Sequence, residues 1–344
     1  MMGIIKLLTK RIIYSIIVLL VLSVIIFIMS RVLPGDPARG ALGPGISEEV
    51  VQQFREEMHL NDTIYIQYYY WLRNAIHGDL GKSFFTRNNV TEDIKKYAPA
   101  TVELALYGVI FMAIVGIMFG VLSVKHNETW IDNLLRIIAY IGVVTPSFIF
   151  AIIFMLIFCY MLNLFPTGGR ISPEIIPPPT ITGLITIDAL ISGNFSAFFD
   201  ALKHLILPSV SLGLAGMSQV SRITRSAMQE NASKDYILFM RGAGFPENII
   251  MFRYLLRVSI VPTISIIGLQ FGALLGNAFL VESIFYWPGL SRYGLNAILQ
   301  KDLNAMSAVI LFVGIGFIAA NIIVDLIINW VDPTIRLRKE TLGE

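Results

Sequence analysis

Residues 104–124 read LALYGVIFMAIVGIMFGVLSV and contain no charged side chain. An α-helix needs about 20 residues to cross roughly 30 Å of hydrocarbon, so this stretch is long enough to span a bilayer. Five further stretches lack charge over a comparable length, and they are residues 12–30, 137–164, 205–221, 258–281 and 303–324. The pattern predicts an all-α polytopic membrane protein with about six transmembrane helices.

Three of these stretches differ in length or flanking residues from a simple membrane span. Residues 205–221 are short, but Lys203 and Arg222 at their ends can extend their charged groups to the interfaces. Residues 137–164 are long enough for a tilted helix, and Pro146 predicts a kink within it. The first stretch is too long for the apolar part of a signal peptide, which predicts a retained helix.

The composition agrees with a lipid environment and excludes several classes of protein. The chain has 344 residues, 55% hydrophobic and 15% charged, with a mean hydropathy of +0.70, whereas soluble domains are about 25% charged. The net charge is +2 and no basic run carries interleaved aromatic residues, so nucleic-acid binding is not predicted. Cys159 is the only cysteine and the four histidines lack ligand spacing, so neither a disulfide nor a metal site is expected.

The cationic residues predict the orientation of the chain. Lys and Arg concentrate before the first stretch, between the second and third, between the fourth and fifth, and near the C-terminus. By the positive-inside rule these segments, among them residues 222–257, are cytoplasmic, as are both termini. The chain is thereby divided into residues 1–31 with the first helix, an outer loop at residues 32–98, and a transmembrane core at residues 99–344 that includes a second outer loop at residues 165–203.

The outer segments contain two features that could form surfaces. Tyr65 and residues 68–71 form an aromatic cluster, which predicts an interfacial belt or local packing, with a peptide-binding patch as the alternative. Residues 181–191 follow a run of three prolines, are too short to span a membrane and contain Asp188. They predict a surface or interfacial helix.

The triplet Gly81-Lys82-Ser83 has the sequence that ends a phosphate-binding loop. Such a loop needs a glycine five residues before the glycine of the Gly-Lys pair, and this position is Ile76. It also needs a preceding buried strand, whereas this triplet lies in a polar outer loop. Nucleotide binding by this chain is therefore not predicted, and any ATP chemistry must come from another chain.

Small and polar residues within the apolar stretches have two interpretations. Gly268, Gly272 and Gly276 recur every four residues, so they lie on one helix face and allow close packing, or else they line a smooth route for substrate. Four polar residues form interhelical hydrogen bonds or line a water-filled translocation path, and they are Gln219, Gln270, Asn277 and Glu282. Glu282 and Glu103 lie near the outer ends, where reaching the lipid headgroups is a further alternative.

The connection at residues 222–257 predicts a short helix, a glycine turn and a second helix. The glycines at 242 and 244 end the first helix, and the second begins near residue 246 with a proline and an acid in its first turn. Such a unit, with Tyr236, Phe239 and Met240 exposed, docks into a groove on another protein or lies at the membrane interface. The residues assigned to it are Asp235, Tyr236, Phe239, Met240, Arg241, Gly242 and Gly244.

Ten short motifs follow one another along the chain. They are Leu33-Pro-Gly-Asp-Pro37, Gly78-Asp-Leu-Gly-Lys-Ser83, Pro99-Ala-Thr-Val-Glu-Leu-Ala-Leu106, Pro146-Ser-Phe148, Pro166-Thr-Gly-Gly169, Leu207-Pro-Ser209, Arg222-x-x-Arg225-Ser-Ala-Met228, Val281-Glu-Ser-Ile-Phe-Tyr-Trp-Pro-Gly-Leu290, Asn321-x-x-x-Asp325 and Asp332-Pro-Thr-Ile-Arg336. In their order and spacing the chain resembles the permease subunits of binding-protein-dependent ABC importers, in the dipeptide, oligopeptide and nickel branch. The motif at residues 281–290 is the most specific, and the resemblance covers nearly the whole chain.

The resemblance implies a complex in the prokaryotic cytoplasmic membrane. This chain would assemble with a second, similar permease, with two ATPase subunits that bind ATP and Mg²⁺, and with an extracytoplasmic substrate-binding protein. It would perform no covalent chemistry and bind no cofactor itself. ATP-driven closure of the ATPases would switch its helices between inward-open and outward-open states.

The resemblance also assigns the ATPase contact to the cytoplasmic connection. Asp235, Tyr236 and Gly244 match the family's docking stretch. The chain departs from the family's basic and small residues at Leu238, Phe239 and Met240. The role of the connection is therefore expected to hold, while its detailed contacts with the ATPase are specific to this chain.

Peptides are the cargo that the resemblance favours, with nickel chelates and oligosaccharides as alternatives. An ion-coupled secondary transporter is the alternative from another class, and it would need ionisable residues within the membrane and usually paired repeats. A membrane-embedded enzyme would need catalytic side chains that converge at one depth. The sequence displays neither an internal repeat nor such a set.

Overall fold

The structure is a computed structural model that describes residues 2–32, 37–42, 45–57 and 59–331. Most of the motif at residues 33–37 and all of the motif at residues 332–336 lie outside the described residues. Within the described ranges all regular structure is helical, apart from one isolated β-bridge between Lys82 and Asn89. The predicted all-α class is confirmed.

The described residues contain fourteen helices, and two of these continue into π-helical segments. They are α1 (Met2–Val32), α2 (Pro37–Leu42), α3 (Glu48–Glu57), α4 (Ile64–Ile76), α5 (Val90–Lys125), α6 (Trp130–Val144), α7 (Ser147–Phe154, continued by a π-helical segment Met155–Met161), α8 (Ile185–Ile191), α9 (Phe195–Ala232), α10 (Asp235–Gly242), α11 (Glu247–Ile249, continued by a π-helical segment Ile250–Leu255), α12 (Leu256–Ile284), α13 (Leu290–Leu299) and α14 (Leu303–Val331).

Five of the described helical stretches are long and apolar enough to cross a membrane, and the number rises to six if α6 and α7 together form one span. The expectation of a single tilted helix over residues 137–164 is wrong, because α6 and α7 are bent by 106° relative to each other. Pro146 lacks a backbone N–H and disfavours helical geometry at the preceding residue. Thr145 is accordingly extended, with φ −89° and ψ 122°, and the helix breaks there instead of kinking.

Helices α5 and α9 extend well beyond their charge-free stretches. Helix α5 begins at Val90, inside the predicted outer loop, and contains Pro99. Residues 205–221 are only the middle of α9, which has 38 residues and contains Pro208. Hydroxyl groups that follow this proline donate back to the helix, from Ser209 Oγ to Leu205 O at 2.6 Å and from Ser211 Oγ to Leu207 O at 2.7 Å. Polar side chains inside the helix are thereby satisfied without water.

The described chain divides into two compact units, and the first comprises Met1–Thr101 and Pro288–Gly316. Its apolar core joins α5, α13 and α14, and the buried members are Val90, Ala98, Leu290, Tyr293, Ala297, Ala305, Ala308 and Val309. On α4, Tyr68 and Trp71 pack against Phe27 of α1, with ring centroids 5.4 and 5.7 Å from it. Part of the aromatic cluster therefore serves local packing, while Tyr65 and Tyr69 are exposed.

The second unit comprises Val102–Trp287 and Phe317–Glu344. Helix α9 lies at its centre and contacts α6, α7, α8 and α12. Helix α5 also approaches α9 closely. A Cβ added at Gly116 would lie only 2.8 Å from the carbonyl oxygen of Met217. A Cβ at Gly120 would lie 2.6 Å from Thr224 Cβ. This pair of glycines, which was not among the predicted packing residues, lets the two backbones approach each other.

The glycines predicted to share a packing face on α12 have different surroundings. A Cβ at Gly268 would lie 2.2 Å from Val324, and one at Gly272 would lie 1.9 Å from Phe317, both on α14. At Gly276 no described atom lies within 4 Å of the added carbon. Close packing therefore involves the first two positions, and the expectation for Gly276 is not met within this chain.

We expect the substitution Gly116→Ala to destabilise the purified chain. The new methyl group would press on a backbone carbonyl and on Val220 Cβ, both at 2.8 Å, and overpacking of this kind costs about 1–3 kcal/mol. Gly276→Ala is the matched control, since its methyl group meets no described atom and alanine favours a helix over glycine by about 1 kcal/mol. Thermal unfolding in detergent should give a lower midpoint only for Gly116→Ala, and equal midpoints for the two variants would contradict the close contact.

Candidate functional site

The turn that follows α10 is built by hydrogen bonds between backbone groups. Phe245 N donates to Met240 O and Gly244 N donates to Arg241 O, each at 3.1 Å. This is the pattern of a Schellman motif, which requires a left-handed residue after the helix. Gly244 provides it with φ +78°, a conformation that costs glycine no steric strain.

The second helix of the connection starts at once after the turn. Pro246 precedes this helix, and its carbonyl oxygen accepts from Ile249 N at 2.9 Å in the first turn of α11. Arg241 forms two hydrogen bonds with Glu247, at 2.8 and 3.3 Å, from the end of α10 to the start of α11. Both side chains are substantially exposed, so the pair contributes little to stability, but it spans the turn from one helix to the other.

One side of α10 is anchored in an apolar cluster. Ile237 is fully buried and packs with residues from α5, α9 and the segment before α12, which are Val121, Met228, Ile250, Met251 and Leu255. Met240 is partly buried and packs against the same cluster. The expectation that Met240 is exposed is therefore wrong, because its helical position, three residues after Ile237, faces the cluster.

The opposite side of α10 is exposed and apolar. Phe239 is 75% exposed, and Tyr236 and Leu238 are about half exposed. Phe245, after the turn, adds a further exposed ring. Asp235, Arg241, Gly242 and Gly244 are also exposed. The structure thus places the predicted residues on one short helix and its turn, and separates an anchoring side from a presenting side.

A buried ion pair attaches the last part of α9 to α5 and α6. Arg225 Nη2 donates to Asp132 Oδ2 at 3.0 Å, and Arg225 Nε donates to Ser123 Oγ at 2.9 Å. Ser123 Oγ in turn donates to Asp132. Asp132 is fully buried and was not among the predicted site residues. The sequence signal that could have indicated it is an acid in the first turn of a helix, between Lys125 and Arg136.

The four residues predicted for a translocation path do not share one environment. Gln219 and Gln270 are half-buried, Asn277 is exposed, and Glu282 is fully buried. Glu282 therefore neither reaches the headgroups nor lines a water-filled path in this structure. It lies in the turn that ends α12, where Trp287 N donates to its carbonyl oxygen at 2.8 Å and the Trp287 side chain is also buried.

Glu103 is buried as well, so the headgroup interpretation is wrong for it too. Arg170 Nη2 donates to Glu103 Oε2 at 2.5 Å, and the N and Oγ1 atoms of Thr186 donate to Oε1 at 2.8 and 2.7 Å. The guanidinium of Arg170 also lies 5.8 Å from the Trp287 ring centroid. Arg170, which no sequence pattern indicated, ties the predicted outer loop at residues 165–203 to α5.

The predicted surface helix at residues 181–191 forms only from Ile185. Asp188 accepts from the backbone N–H groups of residues 181, 182 and 183, at 3.2, 2.7 and 3.0 Å, so its carboxylate shapes a turn before the helix. Burial by itself would raise the pKa of Asp188, but these bonds and that of the Thr182 hydroxyl hold the pKa below its ordinary value. Among the described residues no group of three or more His, Cys, Asp or Glu could hold a metal ion.

Comparison with known proteins places the chain among membrane components of transport systems. Residues 113–337 match the family described as "Binding-protein-dependent transport system inner membrane component". Residues 4–105 match the N-terminal family of the same transport-system membrane components. The two matches together cover the connection at residues 222–257 and nearly all of the described helices.

Full-length relatives agree with this assignment. The chain is 38% identical to the probable D,D-dipeptide transport system permease protein DdpB of Escherichia coli K12, over 91% of this chain and 92% of the relative. It is 35% identical to the dipeptide permease DppB of Alkalihalophilus pseudofirmus and 34% identical to the oligopeptide permease AppB of Bacillus subtilis, each over 95% of this chain and 98% of the relative. The chain therefore belongs to the inner-membrane permease components of binding-protein-dependent ABC transport systems.

Proposed function

We propose that this chain forms half of the translocation path of an importer for di- and oligopeptides, and that α10 couples this path to an ATPase subunit. The observation that carries the proposal is the two-sided α10, which is anchored by Ile237 and presents Tyr236 and Phe239 outward. A helix that is anchored on one side can dock its other, exposed apolar side into a groove on another protein. The partners would be a second permease, two ATPase subunits and an extracytoplasmic binding protein.

The anchoring cluster supports a mechanical role for α10. Ile237 packs with Val121 of α5 and Met228 of α9, and also with Leu255, which immediately precedes α12. A displacement of α10 by an ATPase would therefore act on three membrane-crossing helices at once. Close-packed interiors transmit such displacements because they do not deform continuously. The Arg225–Asp132 ion pair would extend the same effect to α6.

We infer that the chemical work belongs to the partner subunits. The triplet at residues 81–83 does not form a phosphate loop, because no strand precedes it among the described residues and Ser83 Oγ donates to the buried Asp302 at 2.6 Å. ATP and Mg²⁺ would bind to the ATPase subunits, and this chain would act without a cofactor of its own. Peptide cargo is supported by the relatives, whose names specify D,D-dipeptides, dipeptides, oligopeptides and glutathione.

Two of the predicted path residues retain support from the structure. Gln270 lies beside α9, since its Cβ is 3.8 Å from a carbon added at Gly216. Gln219 lies one helical turn further along α9 and is likewise half-buried. Amide groups at this position can hydrogen-bond to the peptide bonds of a cargo and to each other. We therefore assign these two, ahead of Asn277 and Glu282, to the path.

Reconstitution tests the function directly. Proteoliposomes that contain both permeases and both ATPases should take up a labelled dipeptide only when the binding protein is outside and ATP is inside. The purified single chain should not hydrolyse ATP. Uptake driven by an ion gradient, in vesicles that contain this chain without ATPases, would instead identify a secondary transporter and contradict the proposal.

The proposed orientation places both termini and α10 in the cytoplasm, with Lys82 outside. We expect a membrane-impermeant maleimide to label a cysteine at position 82 in intact cells, and one at position 241 only after the cells are opened. The background variant is Cys159→Ser, which removes a buried thiol whose Sγ is 3.3 Å from Pro166 O. Equal labelling of both positions in intact cells would refute this topology.

We expect Gly244→Val to uncouple transport while the chain still inserts into the membrane. At φ +78° a β-branched residue is strained by about 1–2 kcal/mol, so the turn and the exposed side of α10 would be redirected. Gly242→Val is the matched control, because no described atom lies within 4 Å of either added carbon, and only Gly244 has a left-handed backbone.

Uptake and stimulation of ATP hydrolysis by the binding protein should fall much further in Gly244→Val than in Gly242→Val, at equal membrane levels. Wild-type transport by Gly244→Val, with the ATPases still bound, would show that coupling does not depend on this turn.

A further inference from the structure

The motif at residues 78–83 leads into a turn that two buried carboxylates hold in place. Asp302 is fully buried and accepts from Ser83 Oγ at 2.6 Å and from Phe85 N at 3.1 Å. It also accepts from Ala305 N at 3.1 Å, in the first turn of α14. Residues 82–87, here called the clamped turn, are thereby fastened to the start of α14.

The second carboxylate fixes the other side of the clamped turn. Asp93 is 1% exposed and accepts from Thr86 Oγ1, from Asn88 Nδ2 at 3.2 Å and from the Tyr293 hydroxyl at 3.1 Å. Burial raises the pKa of Tyr293, so its hydroxyl keeps its proton and remains a donor to Asp93. Asn304 Nδ2 adds a bond to Lys82 O at 2.9 Å. Every one of these bonds lies within the first compact unit.

The clamped turn, and Lys301 beside it, adopt backbone conformations that are rare for residues other than glycine. Arg87 has φ 63° and Lys301, which immediately precedes Asp302, has φ 55°. Gly81 has φ 79°, and a Cβ there would lie 2.9 Å from Asn304 Nδ2. Left-handed backbone at a residue other than glycine persists only where its surroundings over-determine it, and such positions cluster at functional sites.

The side chains that this arrangement presents are cationic and aromatic. Lys82, Arg87 and Lys301 are exposed, and Phe85 is 47% exposed between the first two. The stretch from residue 80 to residue 91 contains no acidic residue. Since the buried network has fixed the backbone beforehand, a partner that binds here need not order it, which lowers the entropic cost of association.

We propose that the clamped turn, with Lys301 beside it, is a docking surface for an acidic face of the extracytoplasmic binding protein. Phe85 would enter an apolar recess in that face, because a ring surrounded by charge is a typical centre of a protein interface. The proposal rests on the proposed function and on the orientation that places Lys82 outside. A rigid, hydrogen-bonded turn suits a partner of fixed shape better than fluid lipid headgroups, which require only positive charge.

The test uses the complete transporter in phosphatidylcholine nanodiscs, with its cognate peptide-binding protein. ATP hydrolysis is measured while this binding protein is titrated. The double variant Lys82→Glu/Lys301→Glu should raise the half-saturating concentration about tenfold at low salt, and the difference from wild type should shrink as salt is added. Hydrolysis without binding protein should not change, because neither side chain takes part in the buried network.

The matched control is Lys95→Glu/Lys96→Glu, which reverses two exposed lysines on α5 of the same unit. It should leave the half-saturating concentration unchanged. Phe85→Ala should raise that concentration without altering its salt dependence, and Lys82→Gln/Lys301→Gln should give an intermediate shift if charge reversal reduces the yield of folded protein. A wild-type titration curve for the reversed pair, or an equal shift in the control, would overturn the proposal.

Two further outcomes separate this surface from its alternatives. If the shift occurs only in nanodiscs that contain phosphatidylglycerol, the clamped turn binds the membrane surface and the proposal is overturned. If the binding protein does not stimulate the wild-type transporter, the proposed function fails and this surface fails with it. Stimulation of wild type together with an unaffected reversed pair overturns only the docking surface.

Discussion

The close approach of α9 to its neighbours is the contact on which the second compact unit depends. In lipid, apolar side chains gain little by associating with one another, so helices associate where small residues let their backbones pack tightly. Gly116 and Gly120 of α5 meet α9 in this way, and so does Gly142 of α6, where an added Cβ would lie 2.3 Å from Ser218 Oγ. A helix that several neighbours contact along its length is held in a fixed position relative to them.

The C-terminal end of α9 leads into the segment that we propose couples to the ATPase. Helix α9 ends at Ala232 and α10 starts at Asp235, so little flexible chain separates them. The cluster around Ile237 and the ion pair of Arg225 with Asp132 then bind this region to α5, α6 and the start of α12. Leu238 and Phe239 give the exposed side of α10 an apolar character. Recognition by the ATPase would accordingly depend on shape and apolar contact more than on charge.

Buried carboxylates recur at the points where loops meet helices. In the second unit Glu103 is paired with Arg170, Asp132 is paired with Arg225, and Asp188 accepts from three backbone N–H groups. In the first unit Asp93 and Asp302 are held by hydroxyl and N–H donors. Removing such a group from water is costly unless its hydrogen bonds are replaced, so each carboxylate specifies the loop conformation that supplies its donors.

The sequence by itself determined the class of this protein and the approximate position of its apolar stretches. The length of each stretch and its lack of charge are sufficient for this, because the thickness of a bilayer dictates the length and its hydrocarbon interior disfavours charge. The turn at Gly244 was also predictable, because glycine after a helix commonly adopts the left-handed conformation that ends the helix. Local signals of this kind depend on neighbours in the chain, which the sequence displays directly.

Only the tertiary structure decided which polar residues are enclosed. Glu103 and Glu282 look like residues at the ends of helices, yet both are buried, because Arg170 and the turn before Trp287 fold over them. Asp132 and Arg225 are 93 residues apart, and no local pattern links them. The break at Pro146 likewise became a bend of 106° rather than a kink. Burial and pairing depend on contacts between distant segments, and those contacts exist only once the chain has folded.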